Sequence, residues 1–145
     1  MNREILFRGK SLNTGEWVEG YLVKKIDPIY TDIENYCILN QKKDKFGVLE
    51  PLVTWTKVNA ETIGQFTGLT DKNGVKIFEG DILKGQLDDE ISEDLTIVKV
   101  LWRHTGWFIK QEDFDCEPLE KSDGYLFEVI GNIHDNPETM GGKND

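Results

Sequence analysis

Apolar residues in this chain come in short runs, alternating with polar residues or filling consecutive positions, and Gly, Pro or Asn interrupts each run. Runs of this kind, rich in Val, Ile, Phe, Trp and Tyr, predict β-strands, because a strand repeats every two residues and branched or aromatic side chains suit its pleated surface. Residues 3–8 and 16–23 flank Asn13-Thr14-Gly15, where glycine can take the positive φ that a tight turn needs, so they predict an N-terminal hairpin. Residues 36–39 and 53–57 predict two further strands. In the second, Val53 and Trp55 face away from Thr54 and Thr56, and the polar stretch 40–47 between the two predicts a loop. Asn59 to Gly64 reads as one helical turn, capped by Asn59 and ended by Gly64.

The middle of the chain carries the strongest turn chemistry. Residues 66–69 and 75–78 flank Asp71-Lys72-Asn73-Gly74, and Asn-Gly is a strong hairpin signal. Glu79-Gly80-Asp81 predicts a bend before a strand over 82–84. Residues 95–102 form the longest strand candidate, whose apolar positions on both faces predict burial on both sides, and His104-Thr105-Gly106 turns it into a strand over 107–110. Residues 124–131 predict a closing strand, residues 132–137 a turn, and residues 140–145 a frayed end. About seven or eight short strands with at most one or two helical turns predict a mainly β fold. The expected form is a small antiparallel barrel, pseudo-barrel or sandwich whose C-terminal portion is SH3-like. A single domain over 1–140 is expected, with an N-terminal hairpin part to about residue 57, a core part from about 58 to 138, and a flexible tail over 141–145.

Composition narrows the function classes. The chain of 145 residues is 38% hydrophobic and 30% charged, enough for one well-filled core. No apolar run reaches the roughly 20 residues of a membrane span, and the first residues lack the pattern of a signal peptide, so a cytoplasmic protein with no membrane partner is expected. Cys37 and Cys116 form no metal-binding or redox spacing. Seventeen Lys and Arg against 27 Asp and Glu give a net charge of −10, which disfavours non-specific nucleic-acid binding. Much of the acid lies in 88–94 and 112–117, which read as loops.

Two segments resemble the YopX family of phage and prophage proteins: the run from Ile63 to Ile82, with its Gly68, Gly74 and Gly80, and Val129-Ile-Gly-Asn-Ile-His-Asp-Asn-Pro-Glu138. The resemblance is weaker over 3–20, and 25–57 and 85–96 match nothing in it. It implies a phage- or prophage-borne cytoplasmic protein with a β-rich fold and no catalytic residues to carry over. The apolar positions of the first segment, Phe66, Leu69, Ile77, Phe78 and Ile82, are expected in the core.

Candidate chemistry is sparse. Glu79 and Asp81 would share one face if their backbone were extended, and such a pair could hold a divalent cation or act as acid and base, with Asp71 and Glu128 as conceivable partners. Trp102, Arg103, Trp107 and Lys110 interleave aromatics with bases, a pattern that can stack single-stranded bases. His104 and His134 are the only imidazoles, no nucleophile motif surrounds either cysteine, and phosphate-loop, dinucleotide and hydrolase motifs are absent from the sequence. The favoured expectation is a non-enzymatic module without cofactors that binds a protein, either itself or a phage or host factor. The alternatives are a nucleic-acid-associated protein, binding single strands or mimicking nucleic acid through its acidic loops, and a metal-dependent enzyme using Glu79 and Asp81.

Overall fold

The computed structural model describes residues 3–26, 29, 34–85, 96–112 and 115–141. The chain is mainly β, built of antiparallel sheets, and divides into two compact units, Met1–Gln65 and Phe66–Asp145. The segment after the fourth strand belongs to the first unit, to which its hydrogen bonds to the first strand tie it.

The first unit holds β1 (Phe7–Lys10), β2 (Trp17–Ile26), β3 (Glu34–Lys43) and β4 (Leu49–Val58), each antiparallel to the next. The expected N-terminal hairpin forms: Phe7 to Lys10 pair with Gly20 to Trp17. Ser11 Oγ accepts the N–H groups of Asn13 and Thr14, and Gly15 takes φ +73°. Of the loop expected over 40–47, the first half is strand and the second half is the turn. β3 runs to Lys43, and the reversal is a tight turn in which Asp44 Oδ1 accepts the N–H groups of Phe46 and Val48. Polar residues could be strand here because residues 41–55 are all exposed, so no buried face demands alternation. Asn59 caps a 3-10 turn at Ala60–Thr62 through Glu61 N–H, as expected, but the turn ends at Ile63 and Gly64 already belongs to β5 (Gly64–Thr70). Thr62 Oγ1 accepts the Lys10 N–H at 2.9 Å, and Gly64 and Gln65 pair with Arg8 and Phe7, tying this segment to β1.

The second unit contains the rest of β5, then β6 (Lys76–Phe78), β7 (Asp81–Gly85), β8 (Thr96–Arg103), β9 (Gly106–Lys110), β10 (Glu117–Pro118), a 3-10 turn at Lys121–Tyr125, β11 (Phe127–Asn132) and a short helix α1 (Pro137–Gly141). Five strands form one antiparallel sheet in the order β10-β9-β8-β7-β11. Ile77, Leu83, Val98, Val100, Ile109 and Phe127 make its buried core. Phe66, Phe78 and Ile82 are buried as expected, and Leu69 packs half-buried against the cluster. The Asn73-Gly74 turn forms, with Gly74 at φ +80°.

Three expectations change in this unit. The closing strand starts at Phe127, not at 124, because Glu120 and Asp123 cap the preceding 3-10 turn reciprocally. In β8, Val98 and Val100 are buried while Ile97 and Leu101 on the other face are half-buried, so burial is one-sided at depth. Past the last turn the chain forms a helical turn led by Pro137, whose fixed φ suits a first helical position. The acidic stretch 88–94 and the tail over 142–145 lie outside the described residues.

Candidate functional site

Asp81 is buried at the start of β7, and its Oδ2 accepts the Phe78 N–H at 2.7 Å, closing the bend between β6 and β7. Residues 79 and 80 form a turn, so the extended backbone that would place Glu79 and Asp81 on one face is not present. Asp71 is buried as well. Its Oδ1 accepts the N–H groups of Asn73 and Val75 at 2.8 and 2.9 Å, and its Oδ2 accepts the Val129 N–H at 2.9 Å. Burial alone would raise its pKa, but these three bonds outweigh that and hold the carboxyl below its ordinary value. The side chain thus locks the β5–β6 turn to β11, and Asn73 Nδ2 adds a 3.4 Å contact to Glu128 Oε2. Among the described residues, no group of three or more His, Cys, Asp or Glu gathers into a metal-binding set. The hollow beside Asp71, lined by Leu69, Lys121 and Tyr125 among others, encloses about 130 Å³, against roughly 300–1,000 Å³ for small-molecule sites.

Register separates the four residues of the β8–β9 hairpin. Trp102 opposes Trp107, with ring centroids 4.9 Å apart in an edge-to-face contact, on the face that holds Val100 and Ile109. Arg103 and Lys110 point to the opposite face, because neighbours along a strand alternate. There Lys110 opposes Lys99, and Arg103 Nη1 donates to Cys116 Sγ at 3.3 Å. The hairpin therefore does not interleave these bases with these aromatics on one surface. His104 occupies the turn at φ +58° and is exposed, while His134 lies in the loop after β11.

A different concentration of exposed groups lies on the first unit. β4 pairs with β3 on one side, and no second strand pairs with it among the described residues, although at its end Val58 bridges Ser11 and the Lys57 carbonyl accepts the Leu12 N–H at 3.0 Å. Leu49, Leu52, Val53 and Trp55 along it are exposed, Leu52 by 79%, and Phe46 and Val48 extend the strip into the turn. One sheet face is also distinctive. Register places Arg8, Lys10, Trp17, Glu19, Tyr21, Val23, Lys25, Asn35, Cys37, Leu39, Gln41, Val53, Trp55 and Lys57 on it. Tyr21, Leu39 and Trp55 stand in one row across three strands, with Tyr21 69% and Trp55 55% exposed. The Arg8 guanidinium lies 4.6 Å and the Lys10 ammonium 5.5 Å from the Trp17 ring centre, and Lys25 lies 5.5 Å from that of Trp55. The opposite face carries Ile38 and Val58, both buried. The alternation of 53–57 was legible in the sequence, but the row across β2, β3 and β4 was not, since the pairing that makes it joins residues far apart in the chain.

A family model described as YopX protein matches residues 6–141. The chain belongs to the YopX family. The chain is similar in fold to the crystal structure of protein EF1440 from Enterococcus faecalis, 24% identical, covering 96% of this chain and 99% of that one with a TM-score of 0.57. No curated protein matches the chain. The two segments that resemble YopX proteins most strongly are those that fix turns. The first contains Asp71 and Asp81. In the second, Asn132 Oδ1 accepts the N–H groups of His134 and Asp135, its Nδ2 donates to Asp135 Oδ2, and Asn136 Oδ1 accepts the Asn132 N–H. Gly131 is required beside this YopX loop because a Cβ there would overlap the Asn136 amide. These turn-fixing roles of Asp71 and Asn132 were not assigned from sequence, although an Asx residue two positions before the N–H it accepts is a readable signal.

Proposed function

We propose that this YopX-family member is a non-enzymatic accessory protein of phage or prophage origin that works in the bacterial cytoplasm by pairing with a strand of another protein chain along β4. The observation that carries this reading is the edge of β4 from Leu49 to Thr56, which no second strand covers among the described residues and along which Leu49, Leu52, Val53 and Trp55 are exposed. Proteins usually shorten, charge or cover such edges, because unpaired backbone groups beside apolar side chains template another strand. Here the protection is slight: Pro51 removes one N–H donor, and Glu50 and Lys57 are the only charges along the strand. An added strand would satisfy the free backbone groups and cover the apolar side chains, which is strand-addition recognition. The non-catalytic reading is supported by the commitment of Asp71 and Asp81 to backbone N–H groups. The phage origin and compartment rest on the family resemblance.

Light scattering over a concentration series, with cross-linking in a bacterial lysate, tests this reading. The expected result is self-association or a stoichiometric protein partner, lost in Val53→Lys, which puts a charge on the edge. A wild-type chain that stays monomeric to about 100 µM and cross-links to no protein would overturn it.

A further inference from the structure

The net charge of −10 is not shared between the units. Residues 1–65 carry nine Lys and Arg against nine Asp and Glu, and residues 66–145 carry eight against eighteen. Repulsion of phosphate thus originates in the second unit, and the first is neutral as a whole. Within the first unit charge is sorted again by strand register. The face bearing Tyr21 and Trp55 has four cations, Arg8, Lys10, Lys25 and Lys57, and one acid, Glu19, opposite Arg8.

We infer that this face of the N-terminal sheet is a binding site for single-stranded nucleic acid, with Tyr21 and Trp55 as stacking platforms and Lys25 and Lys57 as phosphate contacts. Three features favour that ligand. Tyr21 and Trp55 stand two strands apart, roughly 10 Å, with Leu39 between them as an apolar floor, so successive unstacked bases can rest along the row. Aromatic rings on an open sheet accept any base through its π face, as sheet-based RNA-binding modules do. The cations flank the row: Lys25 lies over Trp55 from β2, and Lys57 is two residues further along the strand from Trp55. A duplex hides its base faces, so the stacking platform selects single strands over duplex. The face shares Val53 and Trp55 with the β4 edge but reaches Tyr21 on β2, which is paired on both sides by β1 and β3, so Tyr21→Ala tests it without altering that edge.

Fluorescence anisotropy of a labelled oligothymidine of about 15 nucleotides, in about 50 mM salt, tests it with the full chain. Binding is expected to weaken with a log–log salt slope of roughly −1.4, the value for two phosphate contacts to a single strand. Tyr21→Ala should weaken binding about tenfold and Lys25→Glu with Lys57→Glu should abolish it, while Trp102→Ala leaves it unchanged. Circular dichroism and thermal melting of the same variants establish that they remain folded, and Tyr21→Phe, which keeps the ring, should bind like the wild type. Absence of binding at about 100 µM protein would overturn the inference, as would equal affinity for duplex DNA of the same length or full binding by folded Tyr21→Ala.

Discussion

Among the described residues, the unit after Gln65 supplies nine of the buried hydrophobic side chains and the unit before it three, while the large exposed ones divide the other way, five against nine. The contrast extends to charge, since the first unit is neutral and the second carries the whole excess of acid. The second unit uses its apolar residues to close a core around Ile77, Leu83 and Phe127, and fixes its turns with buried Asp71, Asp81 and Asn132. The first builds a broad sheet over a small core and leaves Tyr21, Leu52 and Trp55 in solvent. Buried and exposed large apolar side chains are thus concentrated in different halves of the chain.

The sharpest way to break this contrast is to truncate the core of the second unit. Phe127→Ala should cost about 3–5 kcal/mol of stability in urea denaturation, because a fully buried ring leaves a cavity. A cost near that of a surface substitution would show that the core is not where the fold is held.

Asp71→Ala comes next, at about 2–4 kcal/mol, since three backbone N–H groups lose a charged acceptor. The same residue gives a pH dependence. Its pKa is lower folded than unfolded, so its contribution is fully present above the unfolded value near 3.8 and fades as pH falls from there through the folded value. Urea midpoints measured from about pH 6 down to pH 2 should fall more steeply for the wild type than for Asp71→Asn. Parallel curves would remove the carboxylate from the account.

Smaller effects sharpen the description of the first unit. Asn59→Ala removes the cap on the 3-10 turn and should cost about 1 kcal/mol. Leu52→Ser should change stability by less than about 0.5 kcal/mol, because the side chain is already exposed. A loss above 1 kcal/mol in the isolated monomer would mean that Leu52 is held by contacts within the chain.

Local signals in the sequence were read correctly where a few adjacent residues decide the outcome. The Asn73-Gly74 turn, the Asn59 cap, the bend at 79–81 and the apolar set from Phe66 to Ile82 are of this kind. The loop expected over 40–47 is shorter, because 40–43 continue β3 and a polar composition resembles a loop where the end of a strand is exposed. The aromatic and basic residues of 102–110 looked like one surface because proximity in sequence says nothing about face. In the register of β8 with β9, Trp102 and Arg103 turn away from each other.

By itself the sequence determined the β class, the turn positions and membership of a family, because periodicity and turn stereochemistry act over a few residues. Only the tertiary structure decided which side chains share a surface. Strand register couples Tyr21 to Leu39 and Leu39 to Trp55 across intervals with no local pattern, and Asp71 to Val129 across more than fifty residues. Backbone pairing between distant segments fixes those neighbours, and a one-residue shift in any pairing would put each side chain on the other face.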